Sequence, residues 1–201
     1  MSAIAYRYKD ALYLNITNRC SCNCSFCLRD NRETIGDADT LWHDQEPTTS
    51  EVIAAIKTYG DLSQFSEVVY CGFGEPFSSY TVMLEVARWL KTQTPAPKVR
   101  INTNGLGDLI VGHPTAPDLE GLIDALSISL NAPTPEEYVQ LCNPIYGMDA
   151  LPAIISFAKE AKHHVPEVTF SVVSVLSEEQ LTACQRIAAE AKIPLRIRAY
   201  V

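Results

Sequence analysis

The chain has 201 residues, of which 47% are hydrophobic and 20% charged, and 16 Lys/Arg against 24 Asp/Glu leave a formal net charge of −8. That length supports one domain over residues 1–201 with a genuine core, and the composition excludes disorder. An acidic chain repels phosphate backbones, which argues against a broad nucleic-acid surface. No stretch approaches the roughly 18 uncharged apolar residues of a membrane helix. Met1 to Asp10 lacks the apolar run of a secretory signal. A cytoplasmic protein is therefore expected, its seven cysteines reduced or metal-bound rather than paired in disulfides.

In chain order, Ala11 to Thr17 reads as a strand and Thr49 to Tyr59 as a helix, with Val52, Ile56 and Tyr59 on one face. Glu67 to Cys71 is a short strand. Ser78 to Lys91 is a helix with Val82, Met83, Val86 and Leu90 as its apolar stripe. Lys98 to Thr103 and Asp124 to Leu130 are strands. Thr134 opens a short helix, with Glu137 at a capping-box position. Met148 to His163 is helical, Val168 to Val175 a strand, Ser177 to Lys192 a helix and Leu195 to Tyr200 a last strand.

Strands alternating with helices predict a parallel α/β fold, closed either as an open doubly wound sheet or as an arc. The strand faces help to choose. Arg100, Asn102 and Asn104 lie opposite Val99, Ile101 and Thr103. Ser127, Ser129 and Asn131 lie opposite Leu126, Ile128 and Leu130, and Arg196 and Arg198 opposite Leu195 and Ile197. A doubly wound sheet is apolar on both faces. These half-polar strands predict a partial (β/α)6 TIM-like barrel whose polar side lines a chamber, or else a sheet with one face in water.

The sharpest local signal is the run Cys20-Ser21-Cys22-Asn23-Cys24-Ser25-Phe26-Cys27, directly after the first strand. Four thiols in eight residues suit zinc or an iron–sulfur cluster. A structural zinc site usually draws on a distant second pair, and Cys71, Cys142 and Cys184 stand alone. A closed site of all four loop cysteines is crowded but open as an alternative. Cys184 falls on a helix stripe and reads as core; Cys71 and Cys142 are ambiguous. His43, His113, His163 and His164 share no ligand spacing with the cysteines and read as surface.

Cys20, Cys24 and Cys27 form C-x3-C-x2-C with an aromatic before the last cysteine, which resembles the radical S-adenosylmethionine (SAM) superfamily. Three further strand ends agree. Cys71-Gly72-Phe73-Gly74-Glu75-Pro76 resembles the family's GGEP turn, Asn102-Thr103-Asn104-Gly105 its T-N-G stretch, and Ser129-Leu130-Asn131-Ala132 its ribose-contacting segment. Leu28 to Pro47 and the short length resemble the TatD-linked members.

The resemblance implies a [4Fe–4S] cluster held by Cys20, Cys24 and Cys27, with SAM on the open iron. Reductive cleavage of SAM would give a 5′-deoxyadenosyl radical that takes hydrogen from a substrate. It further implies Phe26 near the adenine, Gly72, Gly74 and Glu75 at the methionine amine, and Asn102, Asn104, Ser129 and Asn131 at the ribose or carboxylate. Val173 and Tyr200 would flank the adenine. A low-potential donor of flavodoxin or ferredoxin type is the implied partner. Cys22 departs from the motif, either as a loop residue turned off the cluster or as a spare thiol beside it. Arg100, Arg196 and Arg198 on the polar face would suit an anionic group of SAM or substrate, unless they simply face solvent. The competing readings are a non-catalytic iron–sulfur or zinc protein and an activase that installs a glycyl radical on a partner protein.

Overall fold

The structure is a computed structural model and describes residues 2–30 and 35–199. Its centre is a seven-stranded sheet in strictly sequential order, β1 (Ala5–Tyr8), β2 (Ala11–Leu14), β3 (Val68–Tyr70), β4 (Val99–Thr103), β5 (Ala125–Ser129), β6 (Glu167–Val173) and β7 (Leu195–Arg198). From β2 onward every pairing is parallel. Crossovers are made by α1 (Thr49–Lys57), α2 (Tyr80–Lys91), α3 (Gly107–Val111), α4 (Pro135–Cys142) together with α5 (Ala150–Ala161), and α6 (Glu178–Ala191). A doubly wound sheet reverses strand order at a switch point. None occurs here, so the fold is the expected partial TIM-like barrel.

The alternation of the strands sorts as predicted. Leu12, Leu14, Val68, Tyr70, Val99, Ile101, Leu126, Ile128 and Phe170 are buried in one continuous core. The helices supply Val52 and Ile56, Met83, Val86 and Leu90, and Cys184 and Ala188 to it. On the other face Arg100 reaches Glu67 and Asn102, and Arg196 reaches Ser127 two strands away. Thr48 and Glu51 form a reciprocal capping box at the start of α1, Ser177 and Gln180 another at α6, and Thr134 accepts from the Glu137 amide at α4.

Three expectations need correction. The first predicted strand ends at Leu14 rather than Thr17, because the Asn15 side chain turns into a hydrogen-bonding hub. A strand was missed: β1 pairs antiparallel with β2 across a tight turn at Lys9, whose φ of 55° is left-handed without a glycine to signal it. The helix expected from Met148 begins at Ala150, after a 3-10 turn over Gly147–Asp149. Among the described residues no helix is long and apolar enough to cross a membrane.

Candidate functional site

The cysteine loop leaves the C-terminal end of β2, where a barrel presents its site-forming loops, and is tied down on three sides. The Asn15 amide nitrogen donates to the Leu41 carbonyl at 2.7 Å, and its Oδ1 accepts the Phe73 amide at 3.2 Å. Thr17 Oγ1 donates to Glu46 at 2.8 Å, and Asn18 and His43 exchange hydrogen bonds. His43, expected on the surface, is buried: its Nε2 lies 2.8 Å from the Asn15 carbonyl and its Nδ1 2.8 Å from Ser2 Oγ. Beyond the turn, the Asn23 and Ser25 amides bond carbonyls at the end of α4, and the Ile145 amide bonds Ser21.

Exposure separates the four cysteines of the loop. Cys20, Cys24 and Cys27 are half-exposed, whereas Cys22 is buried and belongs to the core. Cys22 Sγ sits 3.9 Å from Tyr138 Oη and 3.6 Å from Asn104 Nδ2 and also touches the thiols of Cys20 and Cys24. Hydrogen bonding to Cys22, then burial, pushes the Cys20 thiol up. Contact with buried Cys142, outweighing an opposing one with Cys22, raises Cys24, and burial raises Cys27. These are protonated thiols that a thiophilic metal would have to deprotonate on binding.

Among the described residues no three His, Cys, Asp or Glu side chains converge on a single-ion position. A four-iron cluster makes a different demand, because its cysteines ligate separate irons. Three partly exposed cysteines on one short loop, with the fourth buried beside them, fit that donor set.

The turn after β3 packs directly on this loop. A Cβ on Gly74 would lie 2.3 Å from the Thr17 carbonyl oxygen and 2.7 Å from that of Arg19, and the Glu75 amide donates to the Arg19 carbonyl at 2.8 Å. A Cβ on Gly72 would collide with Asn15 Oδ1 at 1.9 Å. The close approach that these glycines permit is therefore to the chain itself. Glu75 is buried, and its carboxylate accepts from Thr103 Oγ1 at 2.7 Å, the Asn104 amide at 2.7 Å and the Phe77 amide at 3.3 Å. Burial pushes its pKa up to about 7 in spite of those donors. Its side chain bridges the turn after β3 to the end of β4.

Asn104 continues the bridge: its Nδ2 donates to Ser21 Oγ at 3.0 Å and faces Cys20 Sγ at 3.9 Å. Asn102 accepts from Arg100 at 2.7 Å on the chamber face. Ser129, half-buried, stands opposite Ser171. Asn131 has a left-handed φ of 56°, donates to Cys142 Sγ at 3.7 Å and leaves a buried Oδ1 without a partner. Phe26 is half-buried against the core, Val173 is buried, and Tyr200 lies outside the described residues. Sequence reasoning missed Ser21, Tyr138, Cys142 and Thr103 as site residues. Thr103 was the one with a readable signal, as a hydroxyl on an otherwise aliphatic strand face.

The cysteine loop, the glycine turn and the ends of β4 and β5 thus meet at one mouth of the arc. The sequence profile of the Radical SAM superfamily matches residues 14–181. The chain belongs to the radical SAM superfamily. Among solved structures it is similar to a radical SAM methyltransferase from Sphaerobacter thermophilus, with 18% identity over 97% of this chain and 68% of that one and a TM-score of 0.52. That likeness concerns the fold. No curated protein matches the chain. As an enzyme of this superfamily it joins proteins that generally use a [4Fe–4S] cluster and SAM.

Proposed function

We propose that the chain cleaves SAM reductively and uses the resulting radical to take a hydrogen atom from a substrate held in the barrel chamber. The observation that carries this reading is the sorting of the loop cysteines: Cys20, Cys24 and Cys27 partly exposed at the mouth, Cys22 buried against Tyr138. In this proposal those three thiols hold the cluster, which when bound supplies the electron that breaks the sulfonium carbon–sulfur bond. Asn104 steadies the loop through Ser21. The Asn131 Oδ1, buried and unsatisfied, is the polar atom most in need of a ligand donor, such as a ribose hydroxyl. Ser129, at the end of the same strand, and Asn102, on the neighbouring β4, would complete the ribose side, and Phe26 and Val173 would offer apolar surface to the adenine.

Glu75 is assigned a narrower role than amine ligand. Its carboxylate already accepts three protein hydrogen bonds, so it holds the turn in which Gly72 and Gly74 present their backbone. A flavodoxin- or ferredoxin-type donor is the proposed reductant. The narrower likeness to TatD-linked members rests on Leu28 to Pro47 and chain length. The test is anaerobic cluster reconstitution, reduction with dithionite and assay for 5′-deoxyadenosine. Product should form in the native protein and vanish, together with the iron, when Cys20, Cys24 and Cys27 are all replaced by Ala. A protein that retained one zinc ion and ignored SAM would refute the proposal.

A further inference from the structure

The three arginines of the chamber face do not share one fate. Arg100 is neutralised: Glu67 accepts from its Nε at 3.0 Å and its Nη2 at 2.6 Å, and Asn102 accepts from its Nη1 at 2.7 Å. Arg196 and Arg198 have no such counter-charge among the described residues. Among the described residues neither forms an ion pair. They share one face of β7, where Arg196, itself exposed, donates through Nη2 to Ser127 Oγ on β5 at 3.2 Å and Arg198 is half-buried.

Arg198 goes deeper. It stands opposite Val173 on β6, yet its guanidinium feels the Cys71 thiol at the end of β3 and the Cys24 thiol of the cysteine loop. Its Nε is shut off from solvent and has no hydrogen-bond partner. Burial, with the repulsion of Arg196, pushes its pKa down. A guanidinium N–H buried without an acceptor is costly, and one placed next to a second cation is more so. The planar fork matches a carboxylate or phosphate, which would supply the missing charge and occupy Nε and one Nη together.

We propose that Arg196 and Arg198 form an anion-binding wall and that the substrate carries a carboxylate or phosphate group seated between β7 and the cysteine loop. The inference rests on the reading of the chain as a SAM-cleaving enzyme, and it adds the chemical class of that enzyme's second substrate. SAM also bears a carboxylate, so the test must separate the two sources.

Calorimetric titration of the reconstituted protein with inorganic phosphate and with acetate, each with and without saturating SAM, separates them. The expected result is anion binding that SAM does not displace and that Arg198→Met weakens about tenfold or more. Arg198→Lys, which keeps the charge but not the fork, should fall between. Arg196→Met should weaken binding less, since that side chain is already engaged by Ser127. Displacement of phosphate and acetate by SAM would assign the arginines to the SAM carboxylate and overturn the inference. So would equal anion binding by native protein and all three variants, or none by native protein. Native protein that formed no 5′-deoxyadenosine would instead overturn the underlying reading, whatever the anions do.

Discussion

Replacing Glu75 with Ala tests whether the mouth is held together by a buried carboxylate. The substitution strips the acceptor from Thr103 Oγ1 and the Asn104 amide, both at 2.7 Å, and from the Phe77 amide at 3.3 Å. Each buried donor left unsatisfied costs about 1–3 kcal/mol, so the two short bonds alone amount to roughly 2–6 kcal/mol. The desolvation of the carboxylate, visible in a pKa pushed up to about 7, is no longer incurred and offsets part of that. A net loss of about 2–3 kcal/mol is expected, which for a chain of this length corresponds to a Tm lower by roughly 4–12 °C. Urea unfolding followed by circular dichroism under anaerobic conditions measures it, with the slope unchanged and the midpoint lowered. Glu75→Gln, which keeps one acceptor oxygen, should lose about half as much. If Glu75→Ala unfolded within about 0.5 kcal/mol of the native protein but bound SAM far more weakly, the side chain would be a ligand and not a brace.

The same carboxylate predicts a pH effect. Its pKa is raised from the ordinary 4.5 to about 7, so the folded state holds the proton more tightly than the unfolded chain and stability falls as pH rises through that window. Relative to Glu75→Gln, the native protein should be more stable at pH 4.5 than at pH 8, as urea midpoints at the two pH values would show. Gly74→Ala must push the Thr17 and Arg19 carbonyls away from a Cβ placed at 2.3 and 2.7 Å, and should cost about 2–3 kcal/mol and lower the iron bound on reconstitution. Cys22→Ala should keep the iron content of the native protein while losing about 1 kcal/mol of packing, whereas single replacement of Cys20, Cys24 or Cys27 should abolish stable cluster binding. Asn15→Ala frees the segment around Leu41 and His43 and should open it to limited proteolysis before the barrel unfolds.

Much of the site was legible in the sequence because it lies in short runs at strand ends. Periodicity of two placed Arg100 and Asn102 on one face and Val99 and Ile101 on the other without reference to any partner, and the structure sorts them so. C-x3-C-x2-C was equally local. What one residue faces across the fold was not legible. His43 looked like surface because nothing near it in sequence tells that Asn15, 28 positions away, closes over its ring. Gly72 and Gly74 signalled a close approach, but only the packed structure identifies the neighbour as the cysteine loop itself. Spacing set Cys22 apart from the motif but left open whether it turns off the cluster or stays beside it; only the fold shows it buried, next to Tyr138 and in touch with Cys20 and Cys24.

Sequence alone therefore determined the alternation of strands and helices, the polar face and the thiol set, because these depend on the order of neighbouring side chains. Tertiary structure decided that the sheet runs in sequential order without a reversal, that Glu75 is consumed by the chain's own donors, and that among the described residues the Arg198 Nε finds no acceptor where Arg100 finds Glu67. Those outcomes depend on which distant groups share a desolvated space, where each donor and each charge must find its partner among whatever the fold brings near.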